Sequence, residues 1–160
     1  ALAFVLEQEG EWGTVPNDPG GATRWGISQR AHPEVDLNSL TIDDAAQIYR
    51  EEYWDLCRCD ELPWPVSLAV FDGAVQHGPE TVIQFLQDVV DVEIDGDLGP
   101  ITLAAVRAQT PSHVFDELLA RRALFYDTID RRLHGWWRRL LACHRLGIET
   151  QPSLADEEGA

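Results

Sequence analysis

The sequence predicts a mainly α-helical domain with one central buried helix and a Gly/Pro-rich loop that carries its chemistry. Three observations predict it. Apolar residues recur at helical spacing in nearly every segment between Gly and Pro interruptions, and almost nowhere do they alternate as a half-buried strand would. The run from Val66 to Val75, VSLAVFDGAV, is apolar nearly all round, as a helix enclosed on every side must be. The 160 residues suffice for one well-buried core, and no apolar run approaches the length of a membrane span.

In chain order, Leu2, Val5, Leu6 and Glu9 fall at i, i+3, i+4 and i+7, predicting a first helix over about residues 1–11. Gly13, Pro16 and the run Asn17-Asp18-Pro19-Gly20-Gly21 end it. A short helix is expected near Ile27 to Ala31, stopped by Pro33. Thr41 with Asp44 three residues later has the form of a capping box, opening a helix through Ile42, Ala45, Ala46, Ile48, Tyr49 and Tyr53. Leu62-Pro63-Trp64-Pro65 breaks the chain before the central helix, which Gly78-Pro79 ends. Val82, Ile83, Phe85, Leu86 and Val89 mark the next helix. Gly99-Pro100 opens another to about Ala108, and Pro111-Ser112 opens a long one to about Leu133. Gly135 separates it from a last helix over about Trp136 to Leu146, with Trp137, Leu140, Leu141 and His144 as its packed face. The acidic tail is expected to be disordered. No repeat or linker divides the chain, so residues 1–160 read as one composite domain: 1–84 with the candidate chemistry, 85–148 a second helical part, and 149–160 the tail.

Glu9 sits on the stripe that the first helix turns toward its core. A carboxyl group partly removed from water favours its protonated form, the state a general acid must hold. Asp18 lies in a run of turn residues, where water keeps a carboxylate ionised, and Thr23 follows five residues on. One shielded carboxyl and one solvated carboxylate divide acid and base work in the way glycosidases do. Blander readings stand beside these: a locally hydrogen-bonded Glu at a helix end, a turn-forming Asp, a Thr that caps the next helix. Trp12 and Trp25 flank the loop and, with Asn17, are candidate substrate-binding residues. Asp72, inside the most apolar run, must be paired or hydrogen-bonded; a structural role, anchoring the active-site loop or an arginine, stands ahead of a chemical one.

The formal charge of −16 argues against a nucleic-acid partner, since phosphate binding needs a basic face. Residues 121–145 nevertheless hold seven of the twelve arginines against two aspartates, a net of +5 on a chain that carries −21 elsewhere. Intramolecular pairing of these arginines is expected, and no stable membrane binding. The three cysteines, Cys57, Cys59 and Cys143, are expected to be reduced thiols. No metal site is expected: Asp91-x-Glu93-x-Asp95-Gly96 imitates half a calcium loop but has Thr102 where the bidentate Glu belongs, and Cys57-x-Cys59 is one residue short of zinc-ligand spacing.

Gln8-Glu9-Gly10-Glu11-Trp12, followed by Asn17-Asp18-Pro19-Gly20-Gly21-Ala22-Thr23 and Trp25-Gly26-Ile27, resembles the opening of glycoside hydrolase family 108, the phage and prophage muramidases. The similarity continues through Tyr49-Arg50, Tyr53-Trp54, Phe71-Asp72 and Ala74-Val75, and through Asp95-Gly96, Gly99-Pro100 and Thr102-Leu103, which resemble the family's peptidoglycan-binding segment. Two residues depart from the pattern: Glu11 stands for glycine and Trp12 for tyrosine. The resemblance implies a lysozyme-like helical fold and an endolysin-like N-acetylmuramidase that hydrolyses peptidoglycan glycan strands between N-acetylmuramic acid and N-acetylglucosamine. It further implies Glu9, Asp18 and Thr23 as catalytic residues, no cofactor, and a monomer. With no basic and apolar signal segment in view, the expectation is synthesis in the cytoplasm and action at the wall after release. The competing class is a non-catalytic wall-binding or secretion-associated accessory protein, to which Glu11 lends weight as an extra carboxylate beside Glu9.

Overall fold

The computed structural model describes residues 1–13, 22–129 and 134–150. Its elements are α1 (Leu2–Glu9), three two-residue strands β1 (Trp12–Gly13), β2 (Thr23–Arg24) and β3 (Ile27–Ser28), then α2 (Ile42–Tyr49), α3 (Val66–His77), α4 (Pro79–Val89), α5 (Pro100–Arg107), α6 (Pro111–Ile129) and α7 (His134–Glu149). Thr41 caps α2 as its spacing predicts: its hydroxyl accepts from the Asp44 amide at 3.2 Å, and the Asp44 carboxylate accepts from the Thr41 amide at 2.9 Å. Beyond Tyr49 the helix continues as a π-helical stretch, Arg50–Asp55, which carries Tyr53. Pro79, Pro100 and Pro111 each stand at the start of a helix, where the fixed φ of the ring is already helical and the missing N–H costs nothing.

The core forms around α3. Leu68, Ala69, Val70, Phe71 and Ala74 are fully buried, and α4, α6 and α7 pack directly on this helix. Helices on both sides of residue 84 therefore share one core. Cys57, Cys59 and Cys143 are buried free thiols. Among the described residues, no helix is long and apolar enough to cross a membrane.

Three sequence expectations need correction. Ile27 and Ser28 form a strand and not a helix. Trp25 and Gly26 both take positive φ, 51° and 79°, and Arg24 pairs with Ile27, so the two residues form the tight left-handed turn that matches strand twist. The antiparallel order is β1-β2-β3, with Gly13 opposite Thr23 and Thr23 opposite Ser28. Gly135 lies inside α7, which begins at His134, and not ahead of it; the expected end of the preceding helix near Leu133 lies outside the described residues. The buried face of α7 is also rotated from the expected one: Arg139, Leu140 and Cys143 are buried, whereas Leu141 is 64% exposed and Trp137 is on the surface. An arginine takes a core position there, so the apolar pattern alone points to the wrong side of the helix.

Candidate active site

Glu9 is the last residue of α1. Gly10 follows at φ 75° and turns the backbone out of the helix, leaving the Glu9 side chain at the helix end with 24% of its surface exposed. Against it lies the β2–β3 turn. A Cβ on Gly26 would stand 2.8 Å from Glu9 Cγ and would overlap the Tyr49 hydroxyl oxygen outright, so glycine alone lets the turn settle between these two side chains. The Tyr49 hydroxyl donates to the Trp25 carbonyl at 3.1 Å, which ties the turn to α2.

The partner of Glu9 comes from the far end of the chain. Arg139 Nη1 donates to Glu9 Oε1 at 2.5 Å, while Arg139 Nε donates to Asp72 Oδ1 at 2.6 Å. Asp72 is fully buried, and its other oxygen accepts from Arg122 Nη2 at 2.6 Å. Arg122, itself fully buried, also donates to the Ala69 carbonyl at 3.2 Å and to Gln76 Oε1 at 2.7 Å, and Gln76 Oε1 accepts from the Tyr126 hydroxyl at 3.0 Å. Charges alternate along Arg122, Asp72, Arg139 and Glu9, so each buried ion has an opposite neighbour, the condition under which burial is tolerable. Burial works against the Arg139 charge, but Asp72 first and then Glu9 outweigh it and hold the guanidinium above its ordinary pKa. Burial and then the Glu9 charge push the Tyr49 phenol well up; burial, Glu52 and Glu9 do the same to Tyr53. Both rings are therefore neutral neighbours of the carboxyl. The sequence expectation for Glu9 included desolvation but not this cation.

Thr23 and Trp12 lie on the sheet that follows Glu9. The Thr23 hydroxyl donates to the Gly13 carbonyl at 3.2 Å across the β1–β2 pair and caps no helix. Trp12 is 52% exposed, with the Arg24 guanidinium 5.0 Å from its ring centroid, a cation–π contact that braces the ring. Arg24 in turn donates to the carbonyls of Leu37 and Asn38 and lies 3.5 Å from Glu11, so Glu11 has its own cation. Trp25 is placed differently from Trp12. It packs on the core and lines a depression with Leu2, Leu6, Ile42 and Ala46. Asn17 and Asp18 lie outside the described residues.

Among the described residues no three His, Cys, Asp or Glu side chains gather as a metal cluster. The Asp91–Asp97 loop is organised by an amide instead. Gln87 Nε2 donates to Asp95 Oδ1 at 2.6 Å and to the Asp97 carbonyl at 3.0 Å, and Gln87 Oε1 accepts from the amides of Asp95 and Gly96.

Residues 2–78, which hold Glu9, the three strands, α2 and α3, match the family described as Glycosyl hydrolase 108, and this makes the protein a glycoside hydrolase. Among solved structures, the chain is similar to SagA of Brucella abortus, with 32% identity and a TM-score of 0.84 over 97% of this chain and 95% of that one. No curated protein sequence matches. The chain belongs to glycosyl hydrolase family 108.

Proposed function

We propose that the protein is an endolysin-like N-acetylmuramidase that cleaves the β-1,4 bond from N-acetylmuramic acid to N-acetylglucosamine in bacterial peptidoglycan, with Glu9 as its general acid. The observation that carries this reading is the Glu9 carboxyl at an open helix end, within reach of solvent and oriented by a guanidinium that is itself held in the core. Glu9 gives its proton to the glycosidic oxygen as the bond to the anomeric carbon breaks and positive charge develops on the sugar ring. The carboxylate left behind meets Arg139 already in place, so no reorganisation is needed to stabilise it. Asp18, with Thr23, orients the incoming water or stabilises the ring charge; the water's oxygen ends on the anomeric carbon, and its surplus proton leaves through a carboxylate. Trp12 offers an exposed aromatic face for sugar stacking, Asn17 and Trp25 complete the binding loop, and residues 85–148 hold the polymer. Glu11, which lent weight to a non-catalytic reading, is matched with Arg24 and does not compete with Glu9 for Arg139.

The test is turbidity loss of purified bacterial cell walls. Glu9→Gln keeps an oxygen to accept from Arg139 but has no proton to give, so lysis is abolished while the circular dichroism spectrum and thermal midpoint stay close to wild type. Asp18→Asn reduces lysis by less. A Gln variant that clears walls at the wild-type rate overturns the mechanism.

A further inference from the structure

Asp72 is fully buried and away from solvent, yet its position decides where Arg139 points. A guanidinium is a rigid planar fork, so fixing Nε on Asp72 Oδ1 sets the direction of Nη1, which ends on Glu9. Asp72 cannot turn away, because Arg122 holds its second oxygen, and Arg122 is anchored by the Ala69 carbonyl and Gln76 Oε1. The chain of ions therefore starts in the fully buried core and ends on the one member with substantial exposure.

We propose that Asp72 is a positioning residue for the proton donor, acting through Arg139, and that Gln76 modulates it through Arg122. The proposal rests on Glu9 being the general acid. Arg139 is shared between two carboxylates, so whatever weakens its hold on one strengthens its hold on the other. Among the described residues, the charged and titratable groups around Glu9 are Arg139 from α7, with Asp72 of α3 and Arg122 of α6 behind it, Tyr49 from α2, and Tyr53 with Glu52 from the π-helical stretch; Glu11 and Arg24 pair on the adjoining sheet. The tyrosines stay neutral through the working range, which leaves Arg139 as the cation that Glu9 and Asp72 share.

Two substitutions then act in opposite directions. Asp72→Asn removes the competing carboxylate and gives Arg139 wholly to Glu9, which favours the ionised donor; the alkaline limb of the pH profile of kcat moves down. Gln76→Glu puts a carboxylate on Arg122 at the place where an amide oxygen now accepts from it and from Tyr126. That draws Arg122 off Asp72 and frees Asp72 for Arg139, so the limb moves up. Shifts of about one pH unit are expected, the effect of a changed charge at short range. For Asp72→Asn, kcat falls roughly ten- to a hundredfold from lost orientation, with KM unchanged because Asp72 touches no substrate.

The experiment measures kcat and KM on purified soluble peptidoglycan strands across pH for wild type, Glu9→Gln, Asp72→Asn and Gln76→Glu, with folding checked by circular dichroism. Opposite movement of the alkaline limb supports the proposal. Limbs that stay fixed, or that move together, overturn it even where wild type is active and Glu9→Gln is dead; an active Glu9→Gln instead overturns the reading on which it rests. If Asp72→Asn does not fold, the isosteric Gln76→Glu decides alone, with an upward shift supporting the proposal and none overturning it.

Discussion

Gly26→Ala tests whether the β2–β3 turn is built to admit Glu9. The turn holds Gly26 at φ 79°, and an added Cβ would overlap the Tyr49 hydroxyl and meet Glu9 Cγ at 2.8 Å, where ordinary contact begins near 3.4 Å. Left-handed backbone at a residue with a Cβ costs about 1–2 kcal/mol. Overpacking against two anchored side chains adds about 1–3 kcal/mol. The sum of about 2–5 kcal/mol corresponds to a midpoint lower by roughly 5–15 °C in a domain of this size. Gly10→Ala isolates a backbone effect: nothing lies within 4 Å of its Cβ position, but φ 75° with ψ 163° is a conformation essentially reserved for glycine, so its cost is larger than the left-handed one and owes nothing to packing. Because the methyl group added at position 26 displaces Glu9 as well as Tyr49, wall lysis falls beyond what the loss of folded protein explains. Adding Tyr49→Phe removes the closest clash and recovers part of the midpoint but little of the lysis. Differential scanning fluorimetry with the wall assay at a temperature where all variants are folded reads both effects. A Gly26→Ala protein that melts like wild type and lyses walls normally refutes the packing argument.

Two further outcomes follow from charge. Burial, with Arg122 adding to it, pushes the His77 imidazole down to about 4, and the ring sits among Phe85, Phe125, Tyr126 and Trp136. In the window between that value and the ordinary one of 6.5 the unfolded chain binds the extra proton, so stability falls as pH drops from 6.5 to about 4; His77→Phe flattens the midpoint–pH curve there, and parallel curves would refute the assignment. On the basic segment, Arg121 pairs with Asp88, Arg122 with Asp72, and Arg139 with Asp72 and Glu9, so on a chain of net charge −16 the purified protein is expected to stay in the supernatant with anionic vesicles at physiological salt. Salt-sensitive co-sedimentation, lost when the exposed Arg138 and Arg145 become Gln, would reverse that expectation.

Much of the fold was legible because its signals are local. A proline at N1 acts through its own φ, and a Thr-x-x-Asp box closes within four residues, so the starts of α2, α4, α5 and α6 could be read directly. The β2–β3 hairpin was not legible for the same reason. Trp25-Gly26 lacks the Asn-Gly or Asp-Gly signature of its turn type, and the turn is secured from outside by the Tyr49 hydroxyl on the Trp25 carbonyl, 24 residues away. Glu9 could be singled out from its helical position; Gly26 and Tyr49, which shape its surroundings, could be placed only by tertiary packing.

Arg139 is the instructive case, because half of the inference was available. Asp72 in the most apolar run had to be paired or hydrogen-bonded, and the segment 121–145 held seven of the twelve arginines, so an arginine of that segment was one possible partner among several. The residue itself could not be named. Two arginines were needed, one for each oxygen of Asp72, and placing Arg139 in the core overrides the amphipathic pattern by which the packed face of α7 would be chosen. Assigning Trp137 and Leu141 to that face fails because a helix pattern scores arginine as surface, and a buried ion chain inverts that rule. A charged residue in an apolar run is thus evidence about a distant helix: wherever such an acid is fully buried, the helix that supplies its cation should have its packed face read with that arginine counted as core.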